Sequence, residues 1–75
     1  MTRDEAREKY AYLVQDFYCD MAYWMDGYVY YRYMNAYLTV KPGDISFLKV
    51  PEDGGDPVPV GAVEFHEAQK AIKIK

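Results

Sequence analysis

Nine tyrosines stand between Tyr10 and Tyr37 of a 75-residue chain, and that span holds no lysine and one arginine, Arg32. Each ring must be buried or must cover another surface, because tyrosine joins a large apolar body to a hydroxyl that still requires a partner. Leu, Ile, Val and Phe together supply only 16 of the 75 residues, close to the level at which a chain fails to collapse. A chain this short hides only about 60% of the surface it exposes when unfolded. The four methionines, Trp24 and some of the tyrosines must therefore complete the core. The other tyrosines are expected on an interface, where rings that are apolar and hydrogen-bonding at once are enriched.

Thr2 and Glu5 form a T-x-x-E capping box, and Asp4 and Glu5 put negative charge where a first helical turn favours it, so a helix should begin near Arg3. Tyr10, Val14, Phe17, Met21 and Trp24 then recur at spacings of four, three, four and three, joined by Leu13 and Met25. That stripe predicts one long amphipathic helix of about 36 Å, ended by Asp26-Gly27. Residues 28–40 are dense in aromatic and β-branched side chains and run into the turn signal Lys41-Pro42-Gly43-Asp44, which predicts a strand. Tyr28, Tyr30, Arg32, Met34, Ala36, Leu38 and Val40 form its preferred core face. Val29, Tyr31, Tyr33, Asn35, Tyr37 and Thr39 form the other. Helical spacing through Tyr30, Tyr33, Met34, Tyr37 and Leu38 keeps a second helix as the alternative.

Residues 45–50 read as the return strand of a hairpin and residues 51–57 as an exposed loop. Residues 58–65 read as a third strand, confined to an edge by Pro57 and Pro59. Phe65, Ala68 and Ile72, with glutamates early and lysines late, predict a short C-terminal helix, while Ile72 and Ile74 alternating with lysines also fit a strand. The expected fold is α+β in one domain spanning residues 1–75. It has one long N-terminal amphipathic helix packed on a short antiparallel sheet of about three strands.

Catalytic chemistry finds little support in these residues. Cys19 lacks a disulfide partner, and on the helix it sits on the polar side beside Asp16 and Asp20, which would not favour a thiolate. His66 has no second positioned group in the sequence, which favours an ordinary surface histidine. Glu52, Asp53 and Asp56 offer oxygen ligands without the alternating spacing of an EF-hand loop. A tyrosine acting near neutrality needs a cationic neighbour, and only Arg32 is available inside the tyrosine span. The expectation is a chain that is not an enzyme and takes no cofactor or metal.

An interface is better supported. On the helical wheel Glu5, Glu8, Tyr12, Asp16, Cys19, Asp20, Tyr23 and Asp26 share one arc, with carboxylates stepping about 6 Å every four residues. Such a ridge imitates successive nucleic-acid phosphates. On the strand, Tyr31, Tyr33 and Tyr37 form a second stripe. The expected partner-binding residues are therefore Tyr12, Asp16, Asp20, Tyr23, Asp26, Tyr31, Tyr33 and Tyr37, facing a protein with a basic surface. A net charge of −3 and a pI near 4.9 weigh against nucleic acid. Base stacking on the tyrosines would want a basic groove where only Arg32, Lys41 and Lys49 lie nearby. The longest stretch free of Lys, Arg, Asp and Glu, residues 33–40, is too short to span a bilayer, and the charged opening MTRDEAREK does not fit a secretory signal. A lone cysteine fits a reducing, cytoplasmic setting. In size and composition the chain is similar to the small inhibitors that phages and other mobile elements direct at host defence or nucleic-acid enzymes, anti-CRISPR proteins among them. That likeness implies inhibition by occluding a partner protein. The alternative is a structural or regulatory homo-oligomer, such as a homodimer, whose tyrosines bury one another.

Overall fold

The computed structural model describes residues 1–15, 18–34 and 45–75 of the chain. Its first element follows from its cap. Thr2 Oγ1 accepts the Glu5 N–H at 3.2 Å, while the Glu5 carboxylate takes the Thr2 N–H at 3.4 Å and its hydroxyl at 3.0 Å. Helix α1, Arg3–Tyr10, starts there and tightens into a 3-10 turn, Ala11–Val14. The long helix expected over the first 26 residues is not formed. Cys19–Met25 is instead strand β1, joined to strand β2, Tyr28–Met34, by a two-residue hairpin.

The physical reason lies in Asp26-Gly27. Asp26 has φ 51° and Gly27 φ 83°, so both central residues are left-handed, as a tight hairpin turn of matching twist demands. The same dipeptide that reads as a helix stop is the strongest short-range hairpin signal when strand-forming residues flank it. The residues of β1 fit either periodicity, and pairing with β2 decides between them. Substituting Gly27→Val should lower stability by about 1–2 kcal/mol, since a β-branched residue resists the left-handed region. Asp26→Asn should stay within about 0.5 kcal/mol, because asparagine tolerates that region. Urea unfolding of the two variants checks this, and equal midpoints would refute the turn assignment.

The remaining strands are β3, Ile45–Pro51, β4, Val58–Pro59, and β5, Ile72–Lys73, with helix α2, Ala62–Ala68, between the last two. The five described strands form one antiparallel sheet in the order β4-β3-β2-β1-β5, where about three strands were expected. The return strand after β2 and the edge position of Val58 and Pro59 agree with the sequence reading. The rest of the 58–65 segment departs from it, because Gly61 caps α2. Both readings of the tail hold in succession: Phe65 and Ala68 are buried on α2, and Ile72 then pairs with Trp24 in β5. The turn at residues 41–44 and positions 35–40 of the expected strand lie outside the described residues, as does Phe17 of the predicted stripe.

Helices cover the sheet on both faces. Under α1, the side chains Ala22, Val29, Tyr31, Val50 and Ile74 meet Ala6, Tyr10 and Val14. Under α2, Tyr23 and Tyr30 meet Phe65 and Ala68, with Met21, Met25, Tyr28 and Phe47 packed around them. The preference for the Tyr28–Tyr30 face as the core face of β2 is therefore corrected, since Val29 opposite is fully buried. In a doubly covered sheet, strand alternation does not separate core from solvent. Cys19 is also corrected, from the polar side of a helix to a buried position on a strand. The register shifts between Cys19 and Met21, and this extra residue returns Cys19 to the Ala22 face.

Candidate functional site

Most of the described tyrosines are spent inside the fold. The Tyr10 hydroxyl donates to Glu52 Oε2 at 2.9 Å, its ring lies parallel to Trp24 at 6.4 Å, and the Trp24 indole donates to the same oxygen at 2.9 Å. These donors, the indole first, hold the Glu52 carboxyl below its ordinary value, while burial pushes Tyr10 up. On the opposite face the Tyr30 hydroxyl donates to Glu64 at 3.0 Å beside Lys49 at 2.9 Å. The Lys49 ammonium also sits 4.5 Å over the Tyr28 ring. Lys49 and then Tyr30 hold Glu64 low, and burial raises Tyr30. Tyr18 tilts against Tyr33 at 5.9 Å, and Tyr23 meets the edge of Phe65 at 6.0 Å.

Among the described residues, the sequence-predicted site positions do not share a surface. Tyr12 is 59% exposed on the 3-10 turn, where a Cβ at Gly54 would lie 3.7 Å from its hydroxyl. Asp26 is exposed in the hairpin turn. Asp20 lies at the irregular end of β1 and is held by Arg32, whose Nε donates to Oδ1 at 2.9 Å and whose Nη2 pairs with Oδ2. The Arg32 hydrogen bond is the largest cause of Asp20's depressed pKa. Tyr23 and Tyr31 are buried on opposite faces, and Tyr33 is half-buried on the α1 side. Asp16 and Tyr37 lie outside the described residues. The acidic ridge required a continuous helix, and a strand sends successive residues to opposite faces instead.

What the fold assembles is a pocket of about 150 Å³ between α2 and the sheet, lined by Arg32, Phe47, Ala62, Phe65, His66 and Gln69. Ala62, Phe65, His66 and Gln69 recur at helical spacing and so line one side of α2. Phe47 and Phe65 stack at 4.5 Å and 25° to form an aromatic wall. Beside it, residues 57–63, PVPVGAV, carry no charge. Val58 and Val63 there are 43% and 78% exposed. Val60 N–H donates inward to the Phe47 carbonyl at 2.9 Å, and Val58 and Pro59 pair with Lys49 and Leu48. Positions 57 and 59 then turn their nitrogens outward, and both are prolines without an N–H. This edge resists strand addition and offers side chains instead.

The pocket wall supplies hydrogen-bond donors and rings but no hydroxyl, thiol or amine. In the sequence His66 reads as an ordinary surface residue, and nothing there groups Phe47 with Arg32. The usable signal was the uncharged run leading into a helix with Phe65, His66 and Gln69 in register. No group of three or more His, Cys, Asp or Glu suited to a metal ion occurs among the described residues. No described helix is long and apolar enough to cross a membrane. Comparisons with protein-family models, curated proteins and solved structures found no match to this chain.

Proposed function

We propose that the chain is a protein-binding module that acts without chemistry, an inhibitor or regulator that occludes a partner protein, with the α2–β4 face as its docking surface. The supporting observation is the exposed, uncharged 57–63 edge opening onto the aromatic-walled pocket. Exposed valines beside a concave aromatic site resemble the centre of a protein interface, where apolar anchors fill pockets. This shifts the docking surface from the tyrosine-studded acidic ridge to the opposite side of the sheet from α1. The occlusion mechanism, and the kinship in kind with the anti-host inhibitors of mobile elements, stay as part of the same reading. A net charge of −3 favours a protein over nucleic acid as the partner.

The second reading is a homo-oligomer, favoured by the same 78% exposure of Val63, which a second copy would cover. Affinity capture from nuclease-treated lysate, followed by native mass, separates the two. A stoichiometric protein partner is expected, reduced about tenfold by Val63→Asp and unchanged by Tyr12→Ala. Capture that survives Val63→Asp but fails with Tyr12→Ala would move the site to the acidic end. Recovery of a fixed multiple of the bait, abolished by Val63→Asp, would establish the homo-oligomer.

A further inference from the structure

We infer that the pocket beneath α2 is a carboxylate socket, which accepts a carboxylate presented by the docked partner chain next to an aromatic or apolar residue. The inference rests on the docking reading and deepens it by naming what the partner brings. The polar groups lining the pocket are Arg32, His66 and Gln69. All three can donate hydrogen bonds, Gln69 with its amide nitrogen already 3.6 Å from Met21 Sδ, and arginine can only donate. Asp20 engages the guanidinium through Nε and Nη2. Two of five donors are thereby used, which leaves the Nη1–Nη2 edge as the second fork that a carboxylate fits. Asp20 acts as a positioning residue that holds the guanidinium through two of its donors.

Other occupants fit less well. A cationic side chain would meet the guanidinium of Arg32. A purely apolar side chain would strip water from three polar groups and return no hydrogen bond. A phosphate dianion would bring two negative charges and three acceptors to a site whose one cation is already paired with Asp20, where a carboxylate brings one charge and the two oxygens that the remaining fork takes. A carboxylate matches the donors, and the Phe47–Phe65 pair, stacked at 4.5 Å, gives a ring or short apolar stem its contact. The volume of about 150 Å³ suits a group of roughly benzene size. The exposed Val58 and Val63 then receive the partner's neighbouring residues.

The test titrates the full chain, ¹⁵N-labelled, with N-acetyl-L-phenylalanine, which presents a carboxylate beside a phenyl ring, and in parallel with N-acetyl-L-phenylalaninamide, which lacks the charge. Saturable shifts at His66, Gln69 and Phe47 are expected for the acid, with the amide about tenfold weaker. Arg32→Lys keeps the charge and loses the fork, and should bring acid and amide within about threefold of each other. His66 is exposed on α2, so His66→Ala leaves the fold intact and should weaken the acid by a similar threefold. Equal affinity for acid and amide, or shifts that avoid the pocket, would overturn the socket. If the socket fails while Val63→Asp still weakens partner capture about tenfold, the docking reading survives alone. If capture is also insensitive to Val63→Asp, both fall.

Discussion

Replacing Phe65 by alanine is expected to remove about 3–5 kcal/mol, a loss typical of a buried phenylalanine truncated in a packed site. For a chain of this length the whole folding free energy is about 4–11 kcal/mol, so the variant should be near the edge of folding. The expectation follows from where Phe65 sits. It is 3% exposed, stacked on Phe47 and met edge-on by Tyr23, and it joins Ala68 as the buried residues of a helix only seven residues long. So short a helix has little stability of its own and is held by packing. Without the ring, the Glu64 contacts to Tyr30 and Lys49 are left to hold α2. Urea denaturation checks it, with the exposed neighbour His66→Ala as a control that should stay within about 0.5 kcal/mol. A loss below about 1 kcal/mol for Phe65→Ala would mean that α2 is not docked as described.

The parts of this fold that the sequence disclosed are those fixed by residues close in the chain. The Thr2–Glu5 box is complete within four residues, and it formed. The proline pair at 57 and 59 limits its segment to an edge by lacking donors, whatever lies elsewhere. The stretch from Tyr10 to Met25 was misleading for a definable reason. Its apolar residues satisfy a spacing of four and three, yet Met21, Tyr23 and Met25 alternate with Ala22 and Trp24 equally well. The choice falls to partners not visible locally, namely β2 across the turn and β5 about fifty residues away. The candidate site was less legible still. Arg32 meets Asp20 only because a hairpin folds β2 back on β1. The pocket needs α2 to cross a face of the sheet between strands at its two opposite edges. The tyrosine surplus announces a need for hydrogen-bonded ring burial, and for Tyr10 and Tyr30 that need is met within the chain by Glu52 and Glu64.

Acidification is expected to destabilise the fold through those same carboxylates. Glu52 and Glu64 are held below their ordinary value of 4.5, and Asp20 below 3.8. A carboxylate whose pKa is depressed by folding contributes stability that is fully present above its unfolded pKa and is lost as pH falls through the folded one. The midpoint of urea unfolding should therefore begin to drop near pH 4.5 and keep dropping below it. The loss is structural as well as electrostatic, because Glu52 ties Tyr10 of α1 to Trp24 of β1 and Glu64 ties α2 to Tyr30 and Lys49. Each helix is fastened to its own face by one carboxylate. The alkaline side carries the opposite sign. Tyr10 and Tyr30 are raised above 10.0, chiefly by burial, and Lys49 above 10.5, chiefly by Glu64. The unfolded chain then gives up these protons first, and stability falls as pH rises past about 10. Unfolding midpoints measured from pH 2.5 to 11, for the natural chain and for a Glu52→Gln, Glu64→Gln double variant, separate this account from a general effect of net charge. The double variant should be less stable at pH 7 and visibly flatter below pH 4.5. If its acid slope matches that of the natural chain, the two glutamates are bystanders, and the hold on the helices must come from the ring packing alone.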